Sequence, residues 1–200
     1  DIKAIVVACG TVSTNAFEEV KKDCPVPIIG IVEPTAKKAA GATKGKIGLI
    51  ATSAAIRSGA YERMISEHAP QSQVKSAACP LFVPLAEEGW LHGTVPRQVA
   101  AAYLKELLHC DIDTLVLGCT HYPLLRDVIQ AAAGPDITLV DSARATSLAV
   151  AETLNGLGLR REDPAPPRYI FLVTDAPDNF ARVGERFLGR AISPVEWVDV

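Results

Sequence analysis

The chain reads as an α/β protein whose mainly parallel sheets are flanked by helices. Short apolar, β-prone runs alternate with amphipathic helical stretches through all 200 residues, a pattern that implies βα units and parallel strands. Polar residues also recur where the apolar runs stop, at Cys9, Thr52, Cys119 and Asp141. That is where open parallel sheets bind ligands, outside the carboxyl ends of their strands. One context occurs twice: Ala4-Ile5-Val6-Val7-Ala8-Cys9-Gly10-Thr11 and Thr114-Leu115-Val116-Leu117-Gly118-Cys119-Thr120 each give an apolar run, a small residue, a cysteine and a threonine close behind. The repeat predicts one reactive centre built from two related halves.

The elements follow in order. After the first run, Ala16, Phe17 and Val20 lie at helical spacing. They predict a helix over 13–22, capped by Ser13 and ended by Pro25 and Pro27. A strand is expected over 28–32, and Glu33-Pro34 opens the next helix with proline in its first turn. Lys44-Gly45-Lys46 turns into an apolar strand over 47–51, which stops at Thr52-Ser53 before a helix through Tyr61 and Ile65. That hydroxyl pair reads either as an ordinary helix cap or as a carboxylate subsite of O–H and N–H donors. A weak strand over 74–78 leads into Cys79-Pro80-Leu81-Phe82-Val83-Pro84-Leu85-Ala86-Glu87-Glu88-Gly89, whose two carboxylates read as a solvated turn or as a partner for His121. A helix over 96–109, with Val99, Tyr103 and Leu107 on one stripe, feeds the Cys119 strand. Helix 123–133, strand 137–140 ending at Asp141-Ser142, and helix 143–157 follow. Arg160-Arg161-Glu162-Asp163-Pro164-Ala165-Pro166-Pro167 is a linker by composition. Strand 169–173, helix 177–188 and strand 195–198 complete the chain.

Composition narrows the function. Hydrophobic residues make up 48% and charged residues 22%, with a net charge of -3. This is ordinary for a globular protein and leaves no basic footprint for nucleic acid or anionic membrane. No apolar run is long enough to span a bilayer. The start, Asp1-Ile2-Lys3-Ala4, has neither signal-peptide character nor an initiator Met, and the chain is expected to be cut from a longer one. Cys9, Cys24, Cys79, Cys110 and Cys119 are odd in number and lack CxxC spacing, which points to a reducing cytoplasm rather than a disulfide framework. His68, His92, His109 and His121 are scattered, so no zinc set is expected. There is no GxGxxG, Walker or GxSxG motif to support a nucleotide cofactor or serine hydrolysis.

A cysteine at a strand end reads either as a small core hydrophobe or as a reactive thiol. Beside a helix N-terminus it favours a thiolate, because such sites lower the thiol pKa below about 8.5. A cysteine hydrolase needs one such thiol and a histidine. Two thiols on opposite faces of a carbon acid suit proton transfer instead, one removing the α-proton and the other delivering a proton to the far face. The outcome is inversion at carbon. His121, two residues after Cys119, is placed to keep that side active.

Ala8-Cys9-Gly10-Thr11, Gly30-Ile31-Val32-Glu33-Pro34, Ile47-Gly48-Leu49-Ile50-Ala51-Thr52, Ala78-Cys79-Pro80-Leu81, Gly118-Cys119-Thr120-His121-Tyr122-Pro123-Leu124 and the ending over 180–189 together resemble glutamate racemase. The resemblance covers essentially the whole chain. It implies a cytoplasmic, cofactor-independent and metal-free enzyme that interconverts L- and D-glutamate for peptidoglycan, with no nucleic-acid or membrane partner and with room for a homodimer. It implies two similar α/β domains, 1–32 plus 142–200 and 33–141, with the active site in the cleft between them. Cys9 and Cys119 are then the two acid-bases, Gly10, Thr11, Thr120 and His121 line the substrate with Thr52, and Glu87 is the acid that pairs with His121. Gly10 stands where the family usually has Asn. The family's Asp-Ser-Gly and Tyr-Gly segments, expected upstream of the Cys9 strand, are not in this sequence, so the first domain is expected to be incomplete and turnover weak. The alternatives are a two-cysteine racemase of aspartate or hydantoins and an amino-acid-binding module of the same fold without turnover.

Overall fold

The structure, a computed structural model, describes residues 2–199. Its largest sheet has four strands, all parallel, in the order β4-β3-β5-β6. These are β3 (Lys46–Ala51), β4 (Gln73–Ala78), β5 (Thr114–Leu117) and β6 (Thr138–Asp141). Two further parallel pairs stand apart from it: β1 (Ile5–Val7) with β2 (Ile28–Gly30), and β7 (Phe171–Val173) with β8 (Val195–Trp197). Helices connect successive strands, as parallel pairing requires.

The four-stranded sheet is covered on both faces, and its central strands β3 and β5 are correspondingly apolar and buried. Leu115 and Leu117 of β5, with Ile50 of β3, face α6 (Phe82–Glu88), α7 (Thr94–Leu108) and α8 (Arg126–Ala133), where Phe82, Leu104, Leu107 and Ile129 are fully or almost fully buried. Val116 of β5, with Ile47 and Leu49 of β3, faces α3 (Val32–Ala42) and α5 (Ala60–His68), against Ala36, Ala39, Tyr61 and Ile65. The alternation is the period-two geometry of a strand. Each fully buried Leu, Ile or Phe contributes roughly 1.5–3 kcal/mol. Gly48 breaks the run of side chains on β3 for a reason of space: a Cβ there would lie 2.6 Å from Cδ1 of Ile112.

Several elements differ from the sequence reading. The expected helix over 13–22 is two helices, α1 (Gly10–Asn15) and α2 (Phe17–Lys22), parted at Ala16. Ser13 is inside α1 rather than its cap. Strand β2 stops at Gly30 because Ile31 already has helical φ/ψ and begins α3. The stretch from Pro123 starts as a 3-10 turn, Tyr122–Leu125, before α8. Phe82–Glu88, read as a proline-and-acid segment, is the helix α6; Pro84 falls in its first turn, where the missing N–H costs nothing. Asp141 caps α9 (Ser142–Gly156), accepting from the N–H of Ala143 at 2.8 Å and of Arg144 at 3.2 Å. The remaining helices are α4 (Ser53–Ser58) and α10 (Pro177–Leu188). No described helix is long and apolar enough to cross a membrane.

Candidate active site

Cys9 sits in extended conformation at the N-cap of α1, just past the carboxyl end of β1. Ser13 fixes this junction. Its buried hydroxyl donates to the carbonyl of Val7 at 2.8 Å and accepts from the N–H of Ile31 at 3.4 Å, tying α1 to the ends of both β1 and β2. Thr11, the second residue of α1, shares a 3.0 Å hydroxyl hydrogen bond with Thr52. Thr52 also accepts from the N–H of Ala55 and so caps α4. The cap reading of Thr52 therefore holds, and its hydroxyl also reaches the Cys9 loop.

Cys119 follows β5 by two residues and is only 5% exposed. The preceding Gly118 continues the ladder, its N–H donating to Ile50 at 2.8 Å. A Cβ on Gly118 would meet Ala51 Cβ, the Ile50 carbonyl and Leu49 Cδ1, all at 3.1 Å. A Cβ on Gly10 would lie 2.6 Å from the Gly118 carbonyl oxygen. The residues beside the two cysteines thus approach backbone to backbone, too closely in this chain for a side chain at Gly10 without a shift. The departure at Gly10 acquires a physical reason here, since a side chain would push the Cys9 loop off the Cys119 loop. Tyr61, fully buried, points its hydroxyl at the same carbonyl from 3.5 Å.

The electrostatics correct the expectation of a resident thiolate at Cys119. Burial pushes this thiol up to about 11. The N–H of His121 pulls it down, negative charge on Cys9 pushes it up, and the Thr120 hydroxyl and the Tyr122 N–H pull it down again. Desolvation outweighs the donors because a buried anion loses more hydration than three hydrogen bonds restore. Charge on either sulphur also raises Tyr61, after the larger effect of its own burial. Cys9, Cys119 and the Tyr61 phenol therefore share one electrostatic neighbourhood. Cys79, by contrast, is fully buried and pushed by burial to about 12; its carbonyl accepts from Tyr122 at 2.8 Å, a packing role.

His121 bridges the Cys119 thiol and a carboxylate. Its Nδ1 lies 3.9 Å from Sγ of Cys119, and its Nε2 lies 3.0 Å from Oε1 of Glu87. A carboxylate only accepts, so Nε2 carries its proton toward Glu87 and the Nδ1 lone pair faces the thiol. That tautomer can take the Cys119 proton as the thiolate forms.

A family model described as Asp/Glu/Hydantoin racemase matches residues 1–150. The chain belongs to that family. It is 45% identical over 201 residues to the glutamate racemase of Syntrophus aciditrophicus (strain SB), covering 100% of this chain and 74% of that protein. Among solved structures it superposes on glutamate racemase isoform RacE1 from Bacillus anthracis with a TM-score of 0.94 at 36% identity, over 100% of this chain and 74% of that one. The glutamate racemase from Francisella tularensis subsp. tularensis SCHU S4, solved in complex with D-glutamate, gives 0.91 at 34% identity, over 99% of this chain and 74% of that one. The family's α/β fold, with parallel sheets between helices, is the one described above.

The sequence-predicted residues thus gather in one place: Cys9, Gly10, Thr11 and Thr52 on one side, Cys119, Thr120, His121 and Glu87 on the other, joined at the Gly10–Gly118 contact. Sequence reasoning missed Tyr61, which looked like one more apolar-face residue of a helix. It also missed Phe187, whose ring meets the His121 imidazole edge-on with centroids 5.9 Å apart. Nothing local to residue 187 signals a partner that far away in the chain.

Proposed function

We propose that the chain racemises glutamate without a cofactor, using Cys9 and Cys119 as the two acid-bases. One thiolate removes the α-proton, the electron pair passes to the α-carbon and its carboxylate, and the opposite thiol returns a proton to the other face. The two sulphurs exchange protonation states with each turnover, and proton exchange with solvent returns them to the start. The observation that carries this reading is the meeting of two strand-end cysteine loops at Gly10 and Gly118, each thiol next to a residue of that contact.

Thr11, Thr52 and Thr120, with the N–H groups of their loops, are the donors for the substrate carboxylates. With substrate bound, His121 receives the Cys119 proton at Nδ1 while Glu87 holds Nε2; in the free chain burial keeps this thiol neutral. We assign residues 1–32 and 142–200 to one domain and 33–141 to the other, with the site in the cleft between them. The expected setting is cytoplasmic, and the product D-glutamate serves peptidoglycan.

The test is α-proton exchange. L- and D-glutamate are incubated separately with the chain in deuterium oxide, and loss of the α-proton signal is followed by NMR alongside circular dichroism. Exchange with both enantiomers is expected, and Cys9→Ser or Cys119→Ser should each reduce it by at least about a hundredfold, the low end of a general acid–base contribution. Near-normal exchange in both serine variants would defeat the two-thiol mechanism. Glutamate binding with no exchange would make the chain a binding module instead.

A further inference from the structure

We infer that Arg182 and Arg186 are positioning residues for the Glu87–His121 pair, holding the end of α6 from α10 so that the carboxylate stays aligned on the imidazole. Arg182 donates through Nη1 to the Glu87 carbonyl at 2.9 Å, and Arg186 donates through its own Nη1 to the same oxygen. The two arginines are four residues apart, so one face of α10 presents both. Arg182 is itself held in place through Nη2 on Asn179 at 2.6 Å. The next residue after Arg186, Phe187, packs its ring against His121. One turn of α10 therefore touches both members of the pair, Glu87 through its backbone and His121 through its ring.

The chemistry explains why such a clamp is needed. Glu87 lies in the last turn of α6, where the carbonyls at a helix C-terminus carry partial negative charge and disfavour a carboxylate. Two guanidinium groups on the Glu87 carbonyl satisfy an unpaired acceptor and bring positive charge to that end. Gly89, the C-cap with φ 77°, makes the space: a Cβ there would lie 2.8 Å from Cζ of Arg186. Without the clamp, the end of α6 frays and Glu87, already 41% exposed at its side chain, turns to solvent.

This inference rests on the assignment of His121 and Glu87 to the Cys119 side, and its test separates the two. The ring-nitrogen shifts of His121 are followed by heteronuclear NMR at one fixed pH in the unaltered chain, in Glu87→Gln, in Arg182→Ala, in Arg186→Ala, in the double alanine variant and in the double lysine variant. Glu87→Gln is expected to move the His121 Nε2 shift by removing the carboxylate that accepts its proton. The double alanine variant should move it the same way by at least half as far, each single by less, and the lysine pair should recover part of the shift. In the exchange assay kcat should fall about tenfold to a hundredfold, the cost of a small misplacement, with KM within about twofold. The single alanine variants decide the matter if the double variant does not fold. A shift in Glu87→Gln with none in any arginine variant overturns the clamp and leaves the proposed function standing. No shift in Glu87→Gln overturns the clamp together with the role given to Glu87.

Discussion

Raising the pH should ionise Cys119 late, and the delay can be worked from the structure. A thiol of ordinary value near 9 is pushed to about 11 by burial under β5. At pH 8 this leaves about one Cys119 in a thousand as thiolate, against about one in ten for an ordinary thiol, a factor of about a hundred. Brief iodoacetamide alkylation at a series of pH values, with the Cys119 peptide quantified by mass spectrometry, reads this directly. Access scales the amplitude, but the midpoint of the rate against pH reports the ionisation and should lie near 11. Stability is linked to the same shift. Because the raised value favours the neutral thiol in the folded chain, the stabilisation is complete below the ordinary value and is lost as pH climbs from about 9 toward 11. Two units correspond to about 3 kcal/mol. Urea unfolding at pH 8 and 11 should therefore show a loss smaller by about 2 kcal/mol in Cys119→Ser, because about half of the folded thiols are already ionised at pH 11. An alkylation midpoint at or below about 9 would refute the reasoning and show that the donors around Sγ outweigh burial.

Three further outcomes are expected. Phe82, fully buried and edge-on to both Tyr103 and Tyr122 at 5.3 and 5.2 Å, should cost about 3–5 kcal/mol when replaced by Ala, read from urea midpoints. Gly10→Ala places a Cβ 2.6 Å from the Gly118 carbonyl and should cost about 1–3 kcal/mol of stability while reducing exchange of the glutamate α-proton; unchanged stability and exchange would show that the contact is not tight. Burial pushes the Asp113 carboxyl up, but donors from Thr43, Lys46, Thr114 and Lys44 outweigh it and hold it below the usual range. Its stabilisation is present above the ordinary carboxylate value and is lost as pH falls through the lowered one, so Asp113→Asn should destabilise by about 1 kcal/mol at pH 7 and not at all in strong acid.

The fold was legible because its signals are local. The apolar runs at Ile47 and Thr114 announce buried parallel strands, and Cys9, Thr52 and Cys119 mark where they end. Boundaries failed where tertiary contacts overrode spacing: Ser13 resembles a cap, yet its hydroxyl goes to Val7 and Ile31 instead. Helix α6 was missed because Pro84 and two glutamates look like loop chemistry, although proline is harmless in a first turn. The thiolate expectation failed for a different reason. Position beside a helix start can be read from sequence, but the depth of burial that reverses its effect on Cys119 depends on every neighbour at once.

The contact between Gly10 and Gly118 also bears on redesign. A joint made of two residues without side chains has no rotamers to adjust, so no exchange of one side chain for another can widen or narrow it gradually. The distance from one reactive loop to the other is set by the thickness of the main chain itself. Efforts to fit a longer or shorter amino acid have to begin at Thr11, Thr52 and Thr120, which surround the joint and can change size without parting its two halves.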